Sequence, residues 1–352
     1  MLSKLCKRRS RKFCIVIAVL SGSEILQAQN FGRYAMTQPL LSGLRVDMCF
    51  STLLQYEVNL NFRGILPPLC THFHSDGSVD LYALRENVKR YNRSALLGYV
   101  VTGSTGEAVM LSEDEKIRVW ATVAEIASPD KMLIAGTAAQ STVETVSLAK
   151  SAGKSGYHAA LVLTPSFFRA QMLNQNLQLD FFAAVADASP IPIILYNFPQ
   201  MTGIDLDAET LARAGEHENV AAIKESSAEM SKIEALRKAL PVGTPLLVGA
   251  SAKFDECLMR GADGGILAIA NALPNRACRI LTKFSAGDIA GARAEQNIIR
   301  EAAGTAPKHG IQGLKYAMEV RGFKGGPCRH PLPLVTEDAK TEIRATFEAL
   351  AD

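Results

Sequence analysis

The sequence predicts an α/β fold in which eight parallel strands close into a barrel surrounded by helices, with an extra C-terminal helical layer. From Gly64 onward, short apolar runs alternate with longer amphipathic stretches, a pattern typical of buried parallel strands separated by helices. There are eight such runs, and eight is the number of strands that closes a (β/α)8, or TIM, barrel. The runs cover residues 64–69, 98–103, 132–136, 158–164, 191–197, 220–225, 245–249 and 264–270.

Helix starts and the C-terminal pattern support the same arrangement. Ser112 with Glu115, and Ser141 with Glu144, have the spacing of capping boxes, in which a hydroxyl and a carboxylate bind the first free amides of a helix. Residues beyond the eighth run continue in helical periods. We therefore expect a barrel over 63–272 and, over 273–352, the last barrel helix and further helices at 275–284, 288–303, 313–320 and 337–351.

Composition limits the classes of function. The chain has 352 residues, of which 48% are hydrophobic and 21% charged, with a net charge of +3. This length can bury a barrel-sized core. Basic residues before Glu24 account for the positive balance, so we expect no nucleic-acid surface on the folded body.

The N-terminal extension, residues 1–62, is expected to be poorly ordered. Its apolar run, 13–20, is too short to span a bilayer. Three interpretations remain: a secretory signal, a mitochondrial presequence, or a non-functional stretch upstream of a start at Met36 or Met48. Residues 21–62 lack a sustained period, which favours the third. We expect a cytoplasmic protein, or one in the mitochondrial matrix or secreted if the extension is a targeting segment.

The cysteines and histidines give no sign of a metal site. Seven cysteines are scattered without a Cys-x-x-Cys pair, which argues against a disulfide framework or a zinc site and favours a reducing compartment. His72 and His74 follow the first run, but no third ligand is placed near them. We expect a polar loop there and no metal.

Three of the predicted strand ends carry chemical groups. Lys224 ends the sixth run, Tyr196 ends the fifth, and Gly103–Ser104–Thr105 opens a turn after the second. Strands of such a barrel deliver their carboxyl ends to one rim, where active sites form. Each of these features, taken alone, has a structural explanation. Lys224 would be a solvated lysine at a strand end, Tyr196 a phenol in the core, and the turn a cap for the next helix. Together they offer an amine for a Schiff base, a proton-transfer group and an anion site.

These segments resemble the dihydrodipicolinate synthase and N-acetylneuraminate lyase family of class I, Schiff-base aldolases. The resemblance covers about residues 64–350 and rests on segments 103–107, 196–203 and 223–226. It implies that Lys224 forms the imine, that Tyr196 transfers protons, and that Ser104 binds the substrate carboxylate and relays protons. It further implies a substrate pocket that includes Gly103, Thr105, Ser226, Met201, Phe168 and the carbonyl of Ile266.

Departures from the family pattern bear on the substrate. Dihydrodipicolinate synthases typically carry an arginine, which binds the aldehyde's carboxylate, where this chain has Met201, and a tyrosine near Phe167 and Phe168. Segments 310–315 and 325–329 are more similar to 4-hydroxy-2-oxoglutarate aldolases. The resemblance thus implies cleavage of a 4-hydroxy-2-oxo acid to pyruvate and an aldehyde, without a cofactor, by a homodimer or homotetramer that binds neither nucleic acid nor membrane.

Other functions remain open. The first alternative is dihydrodipicolinate synthesis in the lysine pathway, and the second is a non-catalytic protein that binds 2-oxo acids, suggested by the missing tyrosine. A phosphate-binding barrel enzyme that uses a non-covalent mechanism, without a Schiff base, is a third alternative. Such barrels carry a glycine-rich turn after the seventh and eighth strands, and no full phosphate-binding turn follows Ala270.

Overall fold

A computed structural model describes residues 60–350, which form eight parallel strands and thirteen α-helices in one compact unit starting at Asn61. The predicted N-terminal extension lies almost wholly outside the described residues, although Phe62 is fully buried and belongs to the barrel. The strands are β1 Ile65–Leu66, β2 Gly98–Val101, β3 Met132–Gly136, β4 Ala159–Leu163, β5 Ile193–Asn197, β6 Val220–Glu225, β7 Leu246–Val248 and β8 Gly264–Ile266.

The sheet closes into a barrel, which confirms the predicted fold. Neighbours along the chain pair in parallel from β2 to β8, and β8 also pairs with β1. Between β1 and β2, the Pro68–Val100 bridge and the 2.8 Å hydrogen bond from Leu69 N to Val100 O complete the ring. Strand β1 is shorter than the predicted run 64–69 because Pro67 and Pro68 have no amide hydrogen to donate.

Helices cover the outside of the barrel and form the C-terminal layer. They are α1 Leu81–Tyr91, α2 Glu113–Ile126, α3 Thr142–Lys154, α4 Arg169–Met172, α5 Gln175–Ala188, α6 Pro199–Thr202, α7 Ala208–Ala214, α8 Met230–Ala239, α9 Phe254–Met259, α10 Pro274–Ser285, α11 Ile289–Lys308, α12 Gly310–Val320 and α13 Glu337–Phe347. No helix within residues 60–350 is long and apolar enough to cross a membrane.

The predicted helix caps are confirmed in one case and half confirmed in the other. At α2, Ser112 Oγ accepts from Glu115 N and the Glu115 carboxylate accepts from Ser112 N, so the box is complete. At α3, Ser141 Oγ accepts from Glu144 N, but Glu144 makes no return bond among the described residues.

The long helix α11 runs five residues beyond the predicted end at Ala303. Gly304 and Pro307 are of residue types that commonly end or interrupt helices. Pro307 lies in the last turn of α11, where few backbone bonds remain to be lost. The helix packs on α10, α12 and α13, and this tertiary packing outweighs the low helix propensity of glycine and proline.

A buried histidine fastens the C-terminal segment onto the barrel. His72 Nδ1 lies 2.8 Å from Gly325 O, and its Nε2 lies 3.0 Å from Asn87 Nδ2. The Asn87 side chain also donates to Lys324 O and accepts from Lys324 N. Because both ring nitrogens of His72 have protein partners, the ring is unsuited to bind a metal. The exposed His74 instead lies 3.9 Å from Asp80.

We expect His72 to make folding acid-sensitive. Burial lowers the pKa of its imidazole from 6.5 to about 4. Between these values the unfolded chain binds a proton that the folded chain does not, so the free energy of unfolding falls as the pH falls, by up to about 3 kcal/mol. Below the pKa of His72 in the folded protein, both the folded and the unfolded chain bind this proton, so His72 changes the free energy of unfolding no further.

Urea unfolding at about pH 7 and about pH 4.5 checks this expectation. The wild-type protein should lose more stability on acidification than His72→Gln, whose amide does not titrate. His74→Gln, at an exposed position, is the matched control and should follow the wild type. Equal losses in the wild type and His72→Gln would contradict the assignment.

Candidate functional site

The centre of the candidate site is a lysine beside a phenol. Tyr196 of β5 and Lys224 of β6 are directly paired in register, and Lys224 Nζ lies 3.8 Å from the centre of the Tyr196 ring. Lys224 is only 4% exposed. Burial lowers the pKa of its ammonium from 10.5 to about 7, because an amine removed from water favours the neutral form. At neutral pH a large share of Lys224 is therefore nucleophilic.

Two hydroxyl groups meet the Tyr196 phenol. Burial raises the pKa of the phenol well above its usual value, while hydrogen bonds from Ser104 and Ser226 oppose the shift. The phenol is thus protonated at neutral pH and connected to two groups that can exchange protons with it. Gly249 makes room for this arrangement, since a Cβ at that position would lie 2.2 Å from Ser226 Oγ.

The predicted anion-binding turn follows β2. Ser104–Gly106 form one turn of 3-10 helix, and Gly103 precedes it in extended backbone. Within residues 60–350, the amides of Ser104 and Thr105 donate to no acceptor. Free amides at such a turn, together with two hydroxyls, can bind a carboxylate.

Left-handed backbone is concentrated in the loops of the site. In the described chain, the non-glycine residues with positive φ are Thr102 and Glu107, both at 55°, and Ala228 at 62°. Thr102 and Glu107 flank the turn after β2, and Ala228 follows the turn after β6. Such conformations cost free energy and persist where surrounding contacts impose them, commonly at functional sites.

A buried ion pair supports the turn after β2 from the C-terminal layer. Lys315 Nζ of α12 donates to Glu107 Oε1 at 2.6 Å, and both side chains are at most 1% exposed. Glu107 Oε2 also accepts from Arg329 N at 2.9 Å, and Lys315 donates to Pro327 O. Removing one partner would leave an unpaired buried charge, so the pair fixes the turn to helix α12 and the segment after it.

A second polar network lies behind the lysine and the phenol. Asn197 and Glu225, the next residues along β5 and β6, point away from the barrel interior, and Asn197 Nδ2 donates to Glu225 Oε2 at 2.8 Å. Asn197 Nδ2 also donates to Asp205, which accepts from Lys232. Glu225 also accepts from Ser227 N. The network therefore connects the loop after β5 with the loop after β6, and Ser226 lies in the second of these loops.

The remaining predicted site residues lie at the same rim. Ile266 is buried at the end of β8. Met201, in α6, is 58% exposed, and Phe168, preceding α4, is 66% exposed. Phe167 and Phe168 contact each other edge to face with ring centres 5.1 Å apart. Both phenylalanines lie on the exposed rim.

The supporting residues were not predicted from the sequence. Strand alternation predicts that Asn197 and Glu225 point the opposite way from Tyr196 and Lys224, so their position was open to inference. Lys315 is 208 residues from Glu107, and no local pattern indicates that such distant residues pair.

The fold and the site together define a barrel with a buried lysine beside a phenol at its carboxyl rim, an arrangement suited to Schiff-base chemistry. The model of the dihydrodipicolinate synthetase family matches residues 61–350. The chain belongs to this family of carbon–carbon lyases, as the sequence resemblance predicts.

Individual relatives carry more than one name. The chain is 31% identical over 296 residues to a 4-hydroxy-tetrahydrodipicolinate synthase of Methanothrix thermoacetophila, covering 83% of this chain and 98% of that protein. It is also 31% identical over 295 residues to "Probable 4-hydroxy-2-oxoglutarate aldolase, mitochondrial" of Emericella nidulans, covering 82% and 94%. The relatives therefore agree on the family but differ in their named reactions.

A solved structure of a relative contains pyruvate. The chloride-inhibited dihydrodipicolinate synthase of Acinetobacter baumannii, complexed with pyruvate, matches this structure with a TM-score of 0.77 and 29% identity. The match covers 80% of this chain and 97% of that one.

Proposed function

We propose that this protein is a pyruvate-dependent class I aldolase that cleaves a 4-hydroxy-2-oxo acid to pyruvate and an aldehyde. The observation that carries the proposal is the buried Lys224, whose pKa is lowered to about 7 and whose Nζ lies 3.8 Å from the Tyr196 ring centre. A neutral lysine can attack the C2 ketone and form an imine, whose protonated form accepts the electrons of the C3–C4 bond as that bond breaks. The iminium is the electron sink, so the proposal includes no metal or organic cofactor.

Tyr196 moves the proton in this mechanism. When the C3–C4 bond breaks, the phenol oxygen takes the proton of the C4 hydroxyl, and the phenol passes its own proton to the hydroxyl of Ser104 or Ser226, which releases its proton to solvent water. This relay agrees with the raised pKa of Tyr196, which disfavours a free phenolate. The aldehyde leaves, the enamine on Lys224 is protonated at C3, and water releases pyruvate and the free amine.

The turn after β2 would hold the substrate's carboxylate. The amides of Ser104 and Thr105, which have no acceptor among residues 60–350, support this assignment. The hydrogen bond between the Ser104 hydroxyl and the Tyr196 phenol places the turn beside the phenol. Gly103 and the Ile266 carbonyl would line the same pocket, and the exposed Met201 and Phe168 would lie towards the aldehyde half.

We further infer that the partner is a small 2-oxo acid and that the protein is a homodimer or homotetramer. Large apolar side chains exposed on the rim support an assembly: Phe167 is 79% exposed, Phe168 66% and Leu173 58%. Such a cluster is typical of a surface that is covered in an assembly.

We infer a cytoplasmic location, with the mitochondrial matrix or secretion as the alternatives if residues 1–62 form a targeting segment. Cys70, Cys257 and Cys328 are buried free thiols, which supports a reducing compartment. The name of the Emericella relative includes the word mitochondrial, which supports the matrix alternative.

Incubation with pyruvate and borohydride should add a reduced pyruvyl group to Lys224, and peptide mass spectrometry would locate it. Lys224→Ala should retain the fold and lose nearly all turnover, because no other group replaces the nucleophile. Lys238→Ala, which removes an exposed lysine in the last turn of α8, is a control for general lysine loss and should retain the adduct on Lys224. An adduct on another lysine would contradict the mechanism, while an adduct on Lys224 without any turnover would favour the non-catalytic binding protein.

The specific alternative is dihydrodipicolinate synthesis, favoured by the name of the Methanothrix relative. Met201 offers no charge to the carboxylate of aspartate semialdehyde, and a bidentate charged contact is worth roughly 1.5–3 kcal/mol. We therefore expect kcat/KM for cleavage of 4-hydroxy-2-oxoglutarate to exceed that for condensation of aspartate semialdehyde with pyruvate by about ten- to a hundredfold.

Both rates should be measured in one preparation, together with Met201→Arg and Met201→Leu. The arginine variant should improve condensation of aspartate semialdehyde, while the leucine variant, an uncharged control of similar size, should not. Efficient condensation by the wild-type protein would contradict this assignment and favour the synthase.

A further inference from the structure

A groove opens on the rim of the barrel between the loops that follow β4 and β5. Its volume is about 590 Å³. These loops begin at neighbouring positions, because Leu163 and Tyr196 are paired in register, so the groove begins a few residues beyond the phenol. Its lining residues are Ser166, Phe167, Phe168, Arg169, Ala170, Gln171, Met201 and Thr202. Among these described residues, Arg169 is the one with a charge.

Arg169 is held against the loop that carries Met201. A Cβ built on Gly203 would lie 2.9 Å from Arg169 Nη1 and 3.0 Å from Arg169 Cδ. Gly203 ends α6 with φ of +67°, a conformation that glycine adopts without strain. Gly203 therefore has two effects. It adopts the left-handed turn, and its missing side chain leaves space for Arg169 to pack across the turn. Arg169 is exposed, yet its position is set by this packing.

The guanidinium of Arg169 has no polar partner within residues 60–350. Two other arginines are paired with carboxylates, since Arg329 binds Glu115 at 2.6 Å and Arg85 binds Glu125 at 2.6 Å. A planar guanidinium presents paired donors whose geometry matches a carboxylate. Arg169 therefore offers an anion-binding group on the rim, in a groove between the loop after β4 and the loop that follows Tyr196.

We propose that Arg169 binds a carboxylate on the aldehyde half of the substrate, so that the preferred substrates are dicarboxylic 4-hydroxy-2-oxo acids. This inference rests on the proposed aldolase function, in which the first carboxylate binds at Ser104 and Thr105 and the C4 hydroxyl faces Tyr196. The aldehyde half then extends towards the groove, where Arg169 would bind a carboxylate attached directly to C4. The carboxylate of aspartate semialdehyde is two carbons further from the aldehyde carbon, so it would extend past Arg169 and meet only the uncharged Met201.

The test compares two substrates that differ at the far end. Cleavage of 4-hydroxy-2-oxoglutarate, which has the second carboxylate, is measured beside cleavage of 4-hydroxy-2-oxopentanoate, which has a methyl group there. The wild-type protein should prefer the dicarboxylate. Arg169→Met should lower kcat/KM for the dicarboxylate by about ten- to a hundredfold and change the monocarboxylate little. Arg169→Lys, which keeps a point charge, should recover part of the loss.

Two controls separate this inference from the proposed function. Arg213→Met removes another exposed arginine, in the last turn of α7, and should leave both rates unchanged. Borohydride trapping of pyruvate on Lys224 should be equal in the wild type and in Arg169→Met, since the imine forms away from the groove.

Each contrary outcome has a distinct meaning. If trapping succeeds but the wild type shows no preference for the dicarboxylate, or Arg169→Met lowers both rates equally, the role of Arg169 is wrong while the aldolase function stands. If the wild type fails to trap pyruvate on Lys224, the proposed function fails and this inference fails with it.

Discussion

The removal of one lysine from water is the constraint on which the site depends. An ammonium group in an apolar barrel is costly, and Lys224 has no carboxylate within 4 Å in the described chain to offset that cost. The free-energy penalty therefore appears as a lowered pKa, which supplies the neutral amine at physiological pH. The barrel provides this environment through its closed ring of strands, with Ile223 fully buried and Tyr196 directly beside the amine.

Charged residues are still present near the site, but they lie behind it. Glu225 follows Lys224 in the same strand, and alternation directs its carboxylate outward to Asn197 and the Lys232 side. The Glu107 carboxylate is likewise paired away from Lys224, with Lys315 of the C-terminal layer. Each anion thus binds a rim loop to another element while remaining paired with another group, and the lysine keeps its uncharged surroundings.

Much of this arrangement could be predicted because its signals are local. Apolar runs give the strands, and the rule that parallel strands end at one rim brings Lys224, Tyr196 and Ser104 together. The details that escaped prediction depend on distant or competing interactions. The Glu107–Lys315 pair joins the second strand's turn to α12, and Arg169 is positioned by a glycine thirty-four residues away on another loop. Helix α11 likewise continues beyond Gly304 because tertiary packing stabilises it.

The central claim is that burial lowers the pKa of Lys224 close to neutrality in the free protein, and its titration tests that claim most directly. NMR of protein with isotope-labelled lysine, with the Lys224 signal assigned by its loss in Lys224→Arg, would follow the side chain as the pH is raised. We expect a midpoint at about 7, because burial lowers the pKa from 10.5 to that value. A midpoint at the usual 10.5 would show a charged lysine at neutral pH and contradict the account.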